Sequence, residues 1–259
     1  MKRFVVSDPH SFYDELMRAL DEAGFFKETE PCEVVFCGDP LDRGPDARRV
    51  IEFMLQLKRE GRLVYVLGNH EDLLVQCIYE VMRKGISGVA SEYRRNRTWD
   101  TMLQIADMTK QEGEEYSMEV VRRVRGSQFY NELLPFAVDY YETPSYVFTH
   151  GWIPCKMDGW GDDTQYTYDP DWREADHFEW QRARWLNGID LACKHKILVP
   201  DKTVICGHIS TAYAHRRYGN RLGDDAAMLD FSPFYSDGII AIDGSVKDSG
   251  KVNCIVIDD

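Results

Sequence analysis

The 259-residue sequence holds seven cysteines but no C-x-x-C pair, which removes the usual zinc-knot and thiol-redox signatures. The odd count, with several cysteines inside apolar strand-like runs, points to reduced thiols packed as small hydrophobes in a reducing compartment. Basic residues are also short. Thirty-one Lys and Arg stand against 44 Asp and Glu, a net charge of −13. Nucleic-acid backbones and anionic membranes are recognised through clustered Lys and Arg, so neither is an expected partner. The N-terminal apolar run "FVVS" breaks at Asp8, too soon for a signal peptide or a membrane span, and a cytosolic protein is expected. No repeat, low-complexity tract or linker marks a domain boundary, and 44% hydrophobic residues allow a substantial core in one domain.

What the chain does have is five short apolar runs, each ending abruptly in a polar cluster: "FVVSDPH", "VVFCGDPLDRG", "LVYVLGNHE", "YVFTHG" and "TVICGH". Their Val, Ile, Phe and Tyr content predicts buried strands. Leu16, Ala19, Leu20 and Ala23 fall on one helical face after a capping box of Ser11 and Asp14; Val50, Ile51, Met54, Leu55 and Leu57 line a second helix between Pro45 and Gly61. Strand, helix, strand, helix, strand predicts parallel crossover units, with their loops opening on one sheet edge. From Leu73 to about Tyr130 the pattern is helical, interrupted by the arginine-rich "EYRRNRTWD"; residues 94–97 read as a solvated helix face. Residues 152–172 read as a loop whose acids lack the EF-hand frame, and "IIAIDGSVKDSGKVNCIVID" predicts a closing antiparallel hairpin.

Polar residues at the strand ends are the candidate site: Asp8 and His10, Asp39 with Asp42 and Arg43, Asn69 and His70, His150, and His208. Loops at the carboxyl ends of parallel strands converge on one crevice. Asp, Asn and His make a mixed oxygen and nitrogen donor set without thiolate, suited to Mn, Fe or Zn. One carboxylate bridging two cations gives the two-metal hydrolase arrangement that clamps the attacking and leaving oxygens in phosphoryl transfer. Four of the seven histidines fall at these ends; His177, His195 and His215 have no such company and read as structural or surface residues. Tyr213, His215, Arg216 and Arg217 read as a solvated basic loop.

Asp8-x-His10, Gly38-Asp39-x-x-Asp42-Arg43-Gly44, Gly68-Asn69-His70-Glu71, His150-Gly151 and Gly207-His208 together resemble the motif series of the calcineurin-like metallophosphoesterases. "DRG" and "GNHE" resemble the phosphoprotein phosphatase branch, in its short bacterial and phage-type members. The resemblance runs over almost the whole chain. It implies an α/β fold in four layers, a mixed β-sandwich flanked by helices, as one domain over 1–259 with a helical insert at about 73–135. It implies two divalent ions, of which manganese is expected. Asp8, His10 and His208 would hold one ion, Asp39 would bridge, and Asn69 and His150 would complete the second site. Arg43 would grip phosphate oxygens, His70 would be the general acid, and Asp42 would orient it. A further phosphate-binding arginine fits Arg182 in "EWQRARW", with Arg184 as the fallback.

The expected activity is phosphomonoester hydrolysis by direct attack of a dimetal-bridging hydroxide, on phosphoserine or phosphothreonine in proteins. A dinucleoside polyphosphate or other small phosphate ester is the alternative substrate. A nuclease ranks lower, because the acidic surface opposes a polyanion. A non-catalytic metal-binding scaffold is the rival from another class, and it would be expected to lack ligands that are all present here. Ser11 and Pro9 depart from the family pattern around the first histidine, as do Pro40 and "IDGS" where "IDTG" is usual. No departure removes a ligand.

Overall fold

A computed structural model describes residues 1–88, 90–111, 113–159, 164–219 and 229–259. It begins with strand β1 (Lys2–Val6), then α1 (Tyr13–Glu22), β2 (Cys32–Cys37), α2 (Ala47–Arg59), β3 (Leu63–Val66) and α3 (Asn69–Lys84). These strands pair in parallel, β1 with β2 and β2 with β3, as the crossover reading predicts. The arginine-rich piece folds as α4 (Ser91–Arg95), and α5 (Thr98–Ala106) and α6 (Glu114–Arg125) complete a helical stretch packed on the same side.

The second half supplies β4 (Tyr141–Glu142), β5 (Tyr146–Phe148), β6 (Cys155–Asp158), β7 (Gln165–Tyr168), α7 (His177–Ala183), α8 (Gly188–Cys193), β8 (Thr203–Cys206), α9 (Thr211–Tyr218), β9 (Phe234–Ser236), β10 (Ile239–Ala241), α10 (Val246–Ser249) and β11 (Cys254–Asp258). Two large sheets result, ordered β11-β1-β2-β3 and β4-β5-β8-β10-β9, beside a two-stranded pair of β6 and β7. Val5, Val35, Cys37 and Val66 of the first meet Phe148, Ile205 and Ile242 of the second in a buried inter-sheet layer. The outer face of the first sheet is covered by apolar residues of α1, α2, α3, α5 and α6. That of the second is covered by Trp180, Ala183, Ile189, Leu191 and Ala214. The strands of the five runs, β1, β2, β3, β5 and β8, are therefore covered on both sheet faces, which is why those runs are continuously apolar rather than alternating. The layers run helix, sheet, sheet, helix. Among the described residues no helix is long and apolar enough to cross a membrane. All seven cysteines are free.

Four local expectations need correction. Ser11 does not cap α1; Phe12 is its N-cap residue and Ser11 instead bonds through its backbone to Pro40. The tail is not a hairpin. β10 runs parallel to β8 in one sheet, while β11 pairs antiparallel with β1 in the other, so alternation was shared by two strands with different partners. Within 152–172, β6 and β7 form a two-stranded hairpin, and residues 160–163 lie outside the described residues. The basic segment 213–217 is not a loop but lies in α9, where Tyr213 and Tyr218 hydroxyls both donate to Asp190 at 2.7 Å.

Candidate metal centre

The ends of β1, β2, β3, β5 and β8 bring the motif residues into one buried cluster. Asp8, His10, Asp39, Asp42, Asn69, His70 and His150 are all nearly inaccessible to solvent. The backbone there is unusual. Of twelve non-glycine residues with left-handed φ among the described residues, seven are Asp8, His10, Ser11, Asp39, Asp42, Arg43 and His208. Such conformations cost of order 1–3 kcal/mol each and persist where the surroundings over-determine them. Asp8 N–H to Gly38 O, His10 N–H to Asp39 O and Gly44 N–H to His10 O lace the first two turns together. Glu71, in the first turn of α3, reaches back to the Gly68 N–H at 2.7 Å and the Asp39 N–H at 3.3 Å. Burial pushes its carboxyl up to about 8, with the neighbouring Asp39 charge adding to the shift.

Asp39 is the hub. Its Oδ1 accepts the His70 backbone N–H at 2.9 Å. Its Oδ2 lies 3.3 Å from His150 Nε2, 3.7 Å from His70 Nε2 and 3.9 Å from His10 Nε2. Two groups of potential ligand atoms share it: His10, Asp39 and His70 on one side, Asp39, His150 and His208 on the other. Asn69 Oδ1 joins the second side at 2.8 Å from His150 Nε2, and Asp8 Oδ1 joins the first at 3.7 Å from His10 Nε2. The His208 side chain thus falls with His150 rather than with Asp8 and His10. Its link to Asp8 is through the backbone N–H, 3.0 Å from Asp8 Oδ2.

These donors fit a pair of cations. His10 Nδ1 lies 2.8 Å from Leu41 O and His150 Nδ1 2.9 Å from Cys37 O, so each Nδ1 carries a proton and each Nε2 points inward. Burial, followed by Arg43 for His10 and by His150 for His208, lowers both rings, His208 to about 3, which keeps them neutral and able to ligate. Burial opposes a charge on His150, yet Asp39 and then Asp8 outweigh it and raise the ring to about 10. Asp8 is likewise raised to about 6 by burial, while Ser7 and the His208 N–H support its charged form.

Beside the hub, His70 Nδ1 lies 2.7 Å from Asp42 Oδ2, and Arg43 Nη2 lies 3.2 Å from His70 Nε2. Burial works against a charged His70, but Asp39 and then the Asp42 bond prevail and raise its pKa. Arg43 and the Nε2 edge of His70 therefore meet beside Asp39. The two later arginines separate. Arg184 is 1% exposed; its Nη1 donates to both Asp72 carboxylate oxygens, at 2.8 and 2.7 Å, and its Nη2 to Asp139, so its guanidinium is committed to the core. Arg182 is exposed on the opposite side of α7. Three residues at the cluster escaped the sequence reading. Trp185 is 44% exposed with its ring 6.0 Å from that of His208. Asp243 is buried and raised to about 8 by burial and by Asp8. Thr98 donates to Asp42 at 2.7 Å. Only Asp243 carried a signal, as an acid ending the "IIAID" run.

The chain matches the family model described as calcineurin-like phosphoesterase over residues 1–241. It is 33% identical over 103 residues to an asymmetrical bis(5'-nucleosyl)-tetraphosphatase of Oceanobacillus iheyensis, covering 36% of this chain and 41% of that protein. It is 38% identical over 79 residues to a symmetrical bis(5'-nucleosyl)-tetraphosphatase of Erwinia tasmaniensis, covering 30% and 27%. The chain thus spans less than half the length of these relatives. In fold it is similar to a solved cold-active protein tyrosine phosphatase, with a TM-score of 0.52 at 15% identity over 99% of this chain and 73% of the other.

Proposed function

The chain belongs to the calcineurin-like phosphoesterases, and from that premise we propose that it is a two-metal hydrolase of dinucleoside polyphosphates. The observation that carries the hydrolase reading is the pair of donor groups sharing Asp39, with Arg43 and His70 Nε2 3.2 Å apart at its edge. Asp8, His10 and Asp39 would hold one ion, and Asp39, Asn69, His150 and His208 the other. Manganese, iron or zinc suits these donors and would supply Lewis acidity at phosphorus and an activated water. Arg43 binds the phosphoryl oxygens through its planar fork. His70, its ring fixed by Asp42, gives the Nε2 proton to the departing oxygen, so that one P–O–P bond and one water become two nucleotides.

Two features favour a nucleotide over a phosphoprotein. The relatives named above act on bis(nucleosyl) tetraphosphates, and the half-exposed Trp185 beside His208 offers a flat apolar face on which a base can stack. Phosphoserine or phosphothreonine hydrolysis is the second reading, supported by the Asp42, His70 and Arg43 group, which suits a terminal monoester equally well. The test is a side-by-side assay with Mn²⁺ on diadenosine tetraphosphate, a phosphoserine peptide and 4-nitrophenyl phosphate. The dinucleotide should have the highest kcat/KM, and Trp185→Ala should raise its KM while sparing the aryl phosphate. Turnover of the peptide without the dinucleotide would move the assignment to protein phosphatase. No turnover of any substrate by folded, metal-loaded protein would leave the scaffold.

A further inference from the structure

The helical stretch after α3 does more than cover the sheet. Its turn at 96–98, between α4 and α5, touches the Asp42–Arg43 turn three times. Thr98 Oγ1 donates to Asp42 Oδ2 at 2.7 Å, the same oxygen that accepts His70 Nδ1 at 2.7 Å. The Arg43 N–H donates to Asn96 O at 3.3 Å, and Arg97 Nη1 donates to Arg43 O at 2.8 Å. Arg97 itself has left-handed φ and is tied to Asp100 at 2.9 Å. This alters the reading of 94–97: Arg94 and Arg95 are exposed, as a solvated face requires, but Asn96 and Arg97 grip the catalytic turn.

A threonine at a helix start ordinarily turns its hydroxyl onto its own backbone as a cap. Here Arg97 occupies the N-cap position without a side-chain capping bond, and the Thr98 hydroxyl, fully buried, points away to Asp42. Asp42 Oδ1 has no hydrogen-bond partner among the described residues. With His70 alone, the carboxylate would be free to rotate about Cβ–Cγ and present either oxygen to the ring. The second donor removes that freedom.

We propose that residues 96–98 are a positioning element of the active site, in which Thr98 fixes the Asp42 carboxylate and, through it, the orientation of the His70 ring. The inference rests on the proton-donor reading of His70 given above. Thr98 touches no substrate atom; it acts through Asp42. The functional consequence is specific to reactions that need a proton delivered to the leaving oxygen, because ring orientation matters only there.

The test uses the Mn²⁺-loaded full chain and a series of aryl phosphates of graded leaving-group acidity, with Thr98→Val, Thr98→Ser and His70→Asn. Valine keeps the shape and removes the hydroxyl. Thr98→Val should lower kcat about tenfold on the least acidic leaving group and less than about twofold on 4-nitrophenyl phosphate. KM and metal content should be unchanged, and Thr98→Ser should restore the rate. His70→Asn should show the same trend more steeply. Equal losses across the series in Thr98→Val, or loss of manganese, would show a merely structural role and overturn the proposal. If His70→Asn is steep and Thr98→Val is flat, the positioning role alone fails. If His70→Asn is itself flat, the proton-donor reading fails, and the role of Thr98 with it.

Discussion

Substituting Gly68 by alanine should weaken metal binding without removing any ligand. Gly68 has φ −104° and ψ −178°, extended backbone that any residue adopts, so an alanine here carries no conformational penalty. Its effect is steric. A Cβ at Gly68 would lie 2.1 Å from Asp39 Oδ1 and 2.6 Å from the Asp39 backbone nitrogen. Asp39 would have to withdraw by roughly 1 Å or more to restore ordinary contact. Oδ1 is the oxygen held by the His70 N–H, so displacing it swings Oδ2, the oxygen facing all three inward histidine nitrogens. Metal sites tolerate distance errors of about 0.2 Å, and disturbing the groups that orient a ligand typically costs 10–100-fold in affinity. Gly68→Ala should therefore bind Mn²⁺ about 10–100-fold more weakly, which is about 1.4–2.8 kcal/mol. Calorimetric titration of chelator-stripped protein measures this directly, and the rise in unfolding temperature on adding Mn²⁺ should shrink in parallel. A folded Gly68→Ala protein that binds two manganese ions as tightly as the parent would refute Asp39 as the shared ligand.

Two stability predictions follow from the same geometry. Arg184→Met keeps most of the buried side-chain volume but leaves Asp72 and Asp139 without their cation, and should destabilise the protein by about 3–5 kcal/mol. Arg182→Met, at an exposed position, should stay within about 0.5 kcal/mol of the parent; chemical denaturation compares the two, and equal stabilities would refute the ion triad. Ser11 combines φ +61° with a buried hydroxyl that has no partner among the described residues. Ser11→Gly relieves about 1–2 kcal/mol of left-handed strain against about 0.5–1 kcal/mol of added chain entropy. With the orphan hydroxyl also gone, a net gain of about 1 kcal/mol is expected, read as a higher unfolding temperature; a lower one would mean that the hydroxyl is satisfied in solution.

The clustering of the candidate ligand residues was legible because each sits at a boundary the chain writes locally, an apolar strand stopping at a polar turn. Val5 and Val6 before Asp8, or Ile205 and Cys206 before His208, state burial and its end within a few residues. The strand-end rule then gathers them without knowledge of the second sheet. What failed depends on partners far away in sequence. The tail alternates correctly for two strands, but nothing local says that the Ile242 N–H will meet Cys206 O while Ile257 pairs with Arg3. The choice between Arg182 and Arg184 was partly legible: Trp180, Ala183 and Arg184 fall at i, i+3 and i+4, one helical face, and that face is the buried one. A charge on a buried face demands partners, so Arg184 was the arginine to read as structural and Arg182 the one left to meet solvent or substrate. Thr98 had no such signal. Its role arises only because the turn at 96–98 lands on Asp42, 56 residues earlier, so the chemistry of the "DRG" turn is set in part by a segment whose own letters describe only a helix start.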